Sequence, residues 1–99
     1  MTRPVTDDLT VVCYDIADNR RRYRVVRILE GYGVRVQESV FECWLLPAQL
    51  RQLQARLNQA MNPDEDRIAF YRLTQEEVHS AKMLGLSNRP SSNPASYCI

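Results

Sequence analysis

Asp15 closes the apolar run "TVVCYD", and the arginine cluster "RRRYR" follows at Arg20 to Arg24. A buried strand does not need that carboxylate. The helix that follows needs one capping oxygen, which Asp18 or Asn19 can supply. Asp15 is therefore surplus to the local structural needs. A carboxylate at a strand end can bind a hard cation, and Mg2+ takes one or two protein carboxylates together with waters and phosphate oxygens. One aspartate alone is a poor site. In a symmetric dimer two would face each other, and at ~4 Å they repel by roughly 4 kcal/mol at an effective dielectric of 20. A bound cation relieves that repulsion. A plain turn aspartate is the other reading, and spacing leaves both open.

The arginines divide by direction. Arg22 falls on the helical wheel with Val25, Val26 and Leu29, so in the first turn it leans toward the strand end that carries Asp15. Arg20, Arg24 and Arg27 fall on the other side. They form a stripe that suits phosphate contacts and equally suits a solvated helix face. Ser39 offers a hydroxyl with no base next to it. His79, the only histidine, lies far along the chain and reads as a polar residue on an edge strand. This argues against a Ser–His nucleophile pair. No glycine-rich phosphate loop occurs, which disfavours a nucleotide-driven reaction.

Composition narrows the setting. The chain has 99 residues and a net charge of +1, enough for one modest core and too balanced for a general nucleic-acid-binding tail. The reading is a single domain, with its core over residues 9–84 and a flexible or strand-adding tail over 85–99. No apolar stretch approaches the ~20 residues of a membrane helix, and no signal peptide is visible. Three widely spaced cysteines, Cys13, Cys43 and Cys98, argue against a disulfide framework and a zinc site and suit a reducing cytoplasm. Cys13 and Cys43 read as small buried hydrophobes.

The elements that would position these groups follow from periodicity. Leu9 to Tyr14 reads as a buried strand. Arg20 to Tyr32 has helical spacing with Val25, Val26, Leu29 and Tyr32 on one face, and Gly31 and Gly33 stop it. Val34 to Leu46 is rich in valine and aromatics and long for one strand, so it predicts a hairpin turning at Glu38–Ser39. Pro47 opens a second helix with a stripe of Leu50, Leu53, Leu57 and Met61. Arg67 to Leu73 alternates as a fourth strand, and Val78 to Leu84 is a candidate extra strand. The order β-α-β-β-α-β is the ferredoxin-like α+β pattern, with two helices on one face of a four-stranded antiparallel sheet. The other face also carries apolar residues, and a homodimer through it is the simplest cover.

Taken together, "YDIADNRRRYRVVRILEGYGVRVQESVFEC", the "LPAQLRQLQARL" helix, "DRIAFYRL" and "AKMLG" resemble the second of the CRISPR-associated proteins, over about Leu9 to Leu86. The resemblance implies a dimeric, ferredoxin-like, Mg2+- or Mn2+-dependent endonuclease that also bridges integrase subunits during spacer acquisition. Asp15 matches the family's metal-binding aspartate, and Tyr14 precedes it as the motif expects. Arg22 and Arg24 match arginines of cleavage or binding. Arg35, Ser39 and Phe41 match the "R-x-Q-x-S-V-F" segment. The implied catalytic group is thus Asp15, Tyr14, Arg22, Arg24 and Ser39, and the implied nucleic-acid contacts are Arg20, Arg24, Arg27, Arg35 and Phe41. Glu38 departs from the motif, which often has an aromatic or basic residue there. RNA and double-stranded DNA both remain as substrates. An architectural DNA-binding dimer without catalysis, an RNA-cleaving toxin of the same fold and a ligand-sensing module are the competing readings.

Overall fold

The computed structural model describes residues 8–80 and 84. Strand β1 (Asp8–Asp15) leads into helix α1 (Asn19–Glu30), hairpin strands β2 (Val34–Gln37) and β3 (Val40–Leu45), helix α2 (Pro47–Ala60), strand β4 (Arg67–Leu73) and the short helix α3 (Gln75–His79). The strands form one antiparallel sheet in the order β2-β3-β1-β4. This is the ferredoxin-like arrangement that the sequence predicts, with the hairpin turn at Glu38–Ser39. Among the described residues no helix is long and apolar enough to cross a membrane.

Period-two alternation splits the sheet into two faces. Val12, Tyr14, Phe41, Cys43 and Leu45 point to the helices and pack with Val25, Leu29, Leu50, Leu53 and Leu57. Each fully buried aliphatic chain of this kind contributes about 1.5–3 kcal/mol relative to exposure. Helix α1 starts because the Asp18 side chain, in extended backbone, accepts the Arg21 amide. Helix α2 places Leu50, Leu53, Leu57 and Ala60 inward, and Met61 lies just past its end, partly buried, rather than in the stripe. The Cys43 thiol is fully buried, as expected, and burial with the neighbouring Glu42 charge pushes it up to about 12. Cys13 is only half-buried, on the opposite sheet face.

That opposite face gathers Leu9, Val11 and Val40, and Val78 of α3 packs onto them. Here the sequence expectation is corrected: Val78 and His79 are helical, not part of an extra strand. "TQEE" is a capping box, in which Thr74 Oγ1 accepts the Glu77 amide and the Glu77 carboxylate accepts the Thr74 amide. Those two bonds satisfy helix-start donors and favour a helical turn over extension. Leu84 is not in a strand either, and residues 81–83 and the tail over 85–99 lie outside the described residues.

The α1–β2 connection depends on close approach. Gly31 ends α1 in ordinary right-handed backbone with φ −79°. At Gly33 a Cβ would run into the Glu42 carbonyl oxygen and the Cys43 sulfur, and would sit 2.9 Å from the Cys43 Cα. Backbone can lie this near β3 only without a side chain. Gly33→Ala is therefore expected to push β2 off β3 and destabilise the fold by about 2 kcal/mol or more. A chemical denaturation curve would show this as a lower midpoint with an unchanged slope.

Candidate functional site

The end of β1, the entry to α1 and the β2–β3 turn meet around one polar cavity of about 560 Å3. Its lining is Tyr14, Asp15, Ile16, Arg22, Arg35, Glu38 and Ser39. Asp15 is the last residue of β1 and is exposed. Among the described residues it forms no ion pair, although register puts Arg67 of β4 opposite it. Arg22 leans back to the strand end, as its place on the helical wheel predicts. Its Nη2 donates to the Ile16 carbonyl at 2.6 Å, and its Nη1 donates to Asn19 Oδ1. The remaining guanidinium N–H groups stay available for an oxyanion.

The turn supplies the other wall. The Glu38 carbonyl oxygen accepts three donors: Tyr14 Oη at 2.8 Å, Arg35 Nε at 3.1 Å and Arg35 Nη2 at 2.6 Å. The Tyr14 amide also donates to the Ser39 carbonyl at 3.1 Å. Burial pushes the Tyr14 hydroxyl above its usual value, and the nearby Arg35 and Arg22 charges offset this only in part. Tyr14 therefore keeps its proton at neutral pH and acts as a donor, not as a base. The Ser39 hydroxyl has no partner among the described residues, and His79, on α3, does not line the cavity. The absence of a Ser–His pair holds for these residues.

The structure thus brings Tyr14, Asp15, Arg22, Arg35 and Ser39 together, and it separates the rest. Arg24 lies with Arg20 and Arg27 on the outer face of α1, away from the cavity. Phe41 is corrected: it is fully buried beneath α1 and α2 and cannot contact nucleic acid. Position parity explains this, because 41, 43 and 45 of β3 all face the helices. Its ring instead stands 6.2 Å from that of Tyr14 and supports it from below.

One positioning group gives no signal in the sequence. The Asp66 carboxylate, shut off from solvent, accepts the Ala17 amide at 2.9 Å, the Asn62 amide at 2.8 Å, and Arg21 Nε at 2.8 Å and Nη2 at 3.2 Å. Arg21 also reaches Glu65 at 3.0 Å. The pairing holds the Asp66 carboxyl far below the usual carboxylate range, with the Arg21 hydrogen bonds the largest cause. This latch ties the segment just after Asp15 to the α2–β4 loop. Nothing local in "RRRYR" separates Arg21 from its neighbours.

A ferredoxin-like sheet whose first strand ends on an exposed carboxylate, in one cavity with the Arg22 and Arg35 guanidinium groups, defines a small α+β protein with a mixed-charge polar cleft at its strand end. The profile of the CRISPR-associated protein Cas2 family matches residues 8–81. The chain belongs to that family. It is 48% identical over 77 residues to the CRISPR-associated endoribonuclease Cas2 3 of Synechocystis sp., covering 78% of this chain and 84% of the relative. Streptococcus pyogenes Cas2 superposes with a TM-score of 0.69 at 33% identity, over 78% of this chain and 99% of that one. A chain of a partial Cas6–RT–Cas1–Cas2 complex gives 0.69 at 32% identity, over 78% and 90%.

Proposed function

We propose that this chain is an endonuclease of CRISPR spacer acquisition, which hydrolyses phosphodiester bonds as a two-fold homodimer and docks an integrase subunit. The carrying observation is the cavity that sets the free Asp15 carboxylate against Arg22 and Arg35. A relative named as an endoribonuclease and a solved neighbour in a Cas1–Cas2 complex support the reading. The donor set fits a hard divalent ion. Asp15 is exposed, and a second copy from the partner would complete a pair of carboxylates for Mg2+ or Mn2+. Bound there, such an ion supplies a polarised phosphoryl oxygen and an activated water. Arg22 and Arg35 hold the scissile phosphate and balance the charge that grows on it. Tyr14 spends its single O–H on the Glu38 carbonyl and so fixes the turn, and Ser39 can donate to a non-bridging oxygen. The test is cleavage of RNA and duplex DNA with Mg2+, Mn2+ or EDTA, with Asp15→Ala alongside. Cleavage that ignores both EDTA and the substitution would sink the proposal.

An architectural role can coexist with cleavage, and the α1 stripe favours it. Arg20, Arg24 and Arg27 are exposed and make no ion pair among the described residues. A dimer carries two such stripes. Six phosphate contacts imply a log–log salt slope of roughly −5 on duplex DNA, with little sequence preference. Titrations between 50 and 200 mM salt, roughly the range over which such contacts lose most affinity, would measure it. A salt-independent affinity is the wrong outcome for this stripe.

A further inference from the structure

The arginine stripe has an aromatic at its centre. Tyr23 is 66% exposed, the second most exposed of the large hydrophobic residues described, on a helix whose inner face already buries Val25 and Leu29 completely. It lies between Arg20, three residues before it, and Arg27, four residues after it, so all three share one helix face. The Arg27 guanidinium carbon stands 5.9 Å from the ring centroid, over the ring. Asn19, Arg20, Tyr23, Arg24 and Arg27 line a shallow depression of about 490 Å3. Tyr23 has no hydrogen bond among the described residues, so its exposure serves no local bond.

Phosphate contacts alone do not call for a ring. Arginines suffice to hold a duplex by its backbone, and an intact duplex keeps the faces of its bases stacked inside, where a surface tyrosine cannot reach them. Surfaces that hold unpaired strands combine a basic track with an aromatic on which a base stacks. Arg20 and Arg27 are about 10 Å apart along the helix axis at 1.5 Å per residue. That is about three nucleotides at a stacked spacing of 3.4 Å per strand. A ring midway between them meets the base between two held phosphates. Building on the reading of this chain as a nucleic-acid-binding protein, we propose that the outer face of α1 is a single-strand site. Tyr23 stacks on one unpaired base there, and Arg20 and Arg27 grip the phosphates on either side. The ligand that uses the ring is an unpaired stretch of nucleic acid, such as an overhang or a loop, whereas the arginines alone hold single strand and duplex alike. Charge complementarity and the exposed ring select it over a purely apolar partner.

The test is fluorescence anisotropy in EDTA, which keeps strands intact, with three oligonucleotides of one length: single-stranded DNA, single-stranded RNA and a blunt DNA duplex. A 2-aminopurine at the central position reports stacking. Parent, Tyr23→Ala, Tyr23→Phe and Arg27→Gln are compared. Alanine is a better helix former than tyrosine, so Tyr23→Ala keeps α1. The expected result is a loss of about tenfold or more in single-strand affinity for Tyr23→Ala, with the 2-aminopurine quenching gone. Tyr23→Phe should restore both, and duplex affinity should stay within about twofold of the parent, because the phosphate contacts remain. Arg27→Gln should weaken both forms and flatten the salt dependence. A loss confined to RNA or to DNA supports the site and names its natural strand. Equal loss on duplex and single strand for Tyr23→Ala overturns the stacking site, as does no loss on either. Both outcomes leave the proposed nuclease intact. A parent that binds none of the three oligonucleotides overturns the nucleic-acid reading itself.

Discussion

Asp15→Asn should cut metal-dependent cleavage by roughly a thousandfold, while the folded dimer remains. The amide is nearly the size of the carboxylate, so β1 and its pairing with β4 are undisturbed. An amide is a poor ligand for a hard divalent ion, and the lost charge stabilisation at the phosphoryl oxygen is worth several kcal/mol, or about three decades in rate. Asp15 makes no ion pair among the described residues, so removing its charge breaks no fold contact. Without metal, the variant should melt at the parent's temperature or slightly above, because the two carboxylates that the proposed dimer sets face to face no longer repel. Binding through Arg20, Arg24 and Arg27 should survive, since that stripe lies on the outer face of α1, apart from the cavity. Initial rates in Mg2+ and Mn2+, run beside a melting curve and a sizing column, separate these effects. If Asp15→Asn cleaves as fast as the parent, the cation sits elsewhere or the activity belongs to a contaminant, and the architectural role becomes the better reading.

The second large effect is expected at Asp66. Asp66→Asn keeps an oxygen for one amide but leaves the half-buried Arg21 guanidinium without its main counter-charge. Loss of one partner from such a pair is expected to lower the melting temperature by on the order of 10 °C. The pH dependence follows from the direction of the shift. The folded carboxyl titrates below its unfolded value, so the stability it contributes is complete above the unfolded value of about 4. That stability is lost as pH falls further, toward the folded value. The parent should therefore show a steep acid limb below about pH 4, and Asp66→Asn a shallower one. Melting curves between pH 3 and pH 7 test both parts. Equal melting temperatures at pH 7 would show that the latch does not hold the strand end. Cleavage should fall as well, because the Ala17 amide next to the site loses part of its anchor.

The sequence revealed most where direction is set locally. Arg22 was readable because an apolar stripe three and four residues on fixes which way the first turn points. The hairpin turn at Glu38–Ser39 follows from a valine-rich stretch too long for one strand, whereas Arg35 and Ser39 join the site in the sequence reading only through the family resemblance. Phe41 went astray because likeness to a motif carries residue identity but not the face a strand presents. Counting by twos along β3 would have placed it inward. The apolar run from Val78 points to a strand, although the capping box just before it favours a helix. Arg21 and Asp66 are of a different kind. They are 45 residues apart, and no local period reports a pair that only the closed sheet brings together.

The same latch sets an order of events during synthesis. The Ala17 amide, two residues past Asp15, finds its partner 49 residues downstream. Strand β4, which pairs along β1 up to Asp15 itself, begins only at Arg67. A ribosome that has made the first helix and the hairpin has made every residue lining the cavity, yet the strand end that carries the carboxylate still lacks its neighbour and its anchor. The candidate site is complete in sequence well before it is complete in shape. A nascent fragment that stops short of Asp66 therefore holds the cavity residues without the latch and the strand that fix their geometry. On the proposed reading, the site reaches its working shape only once β4 has been made.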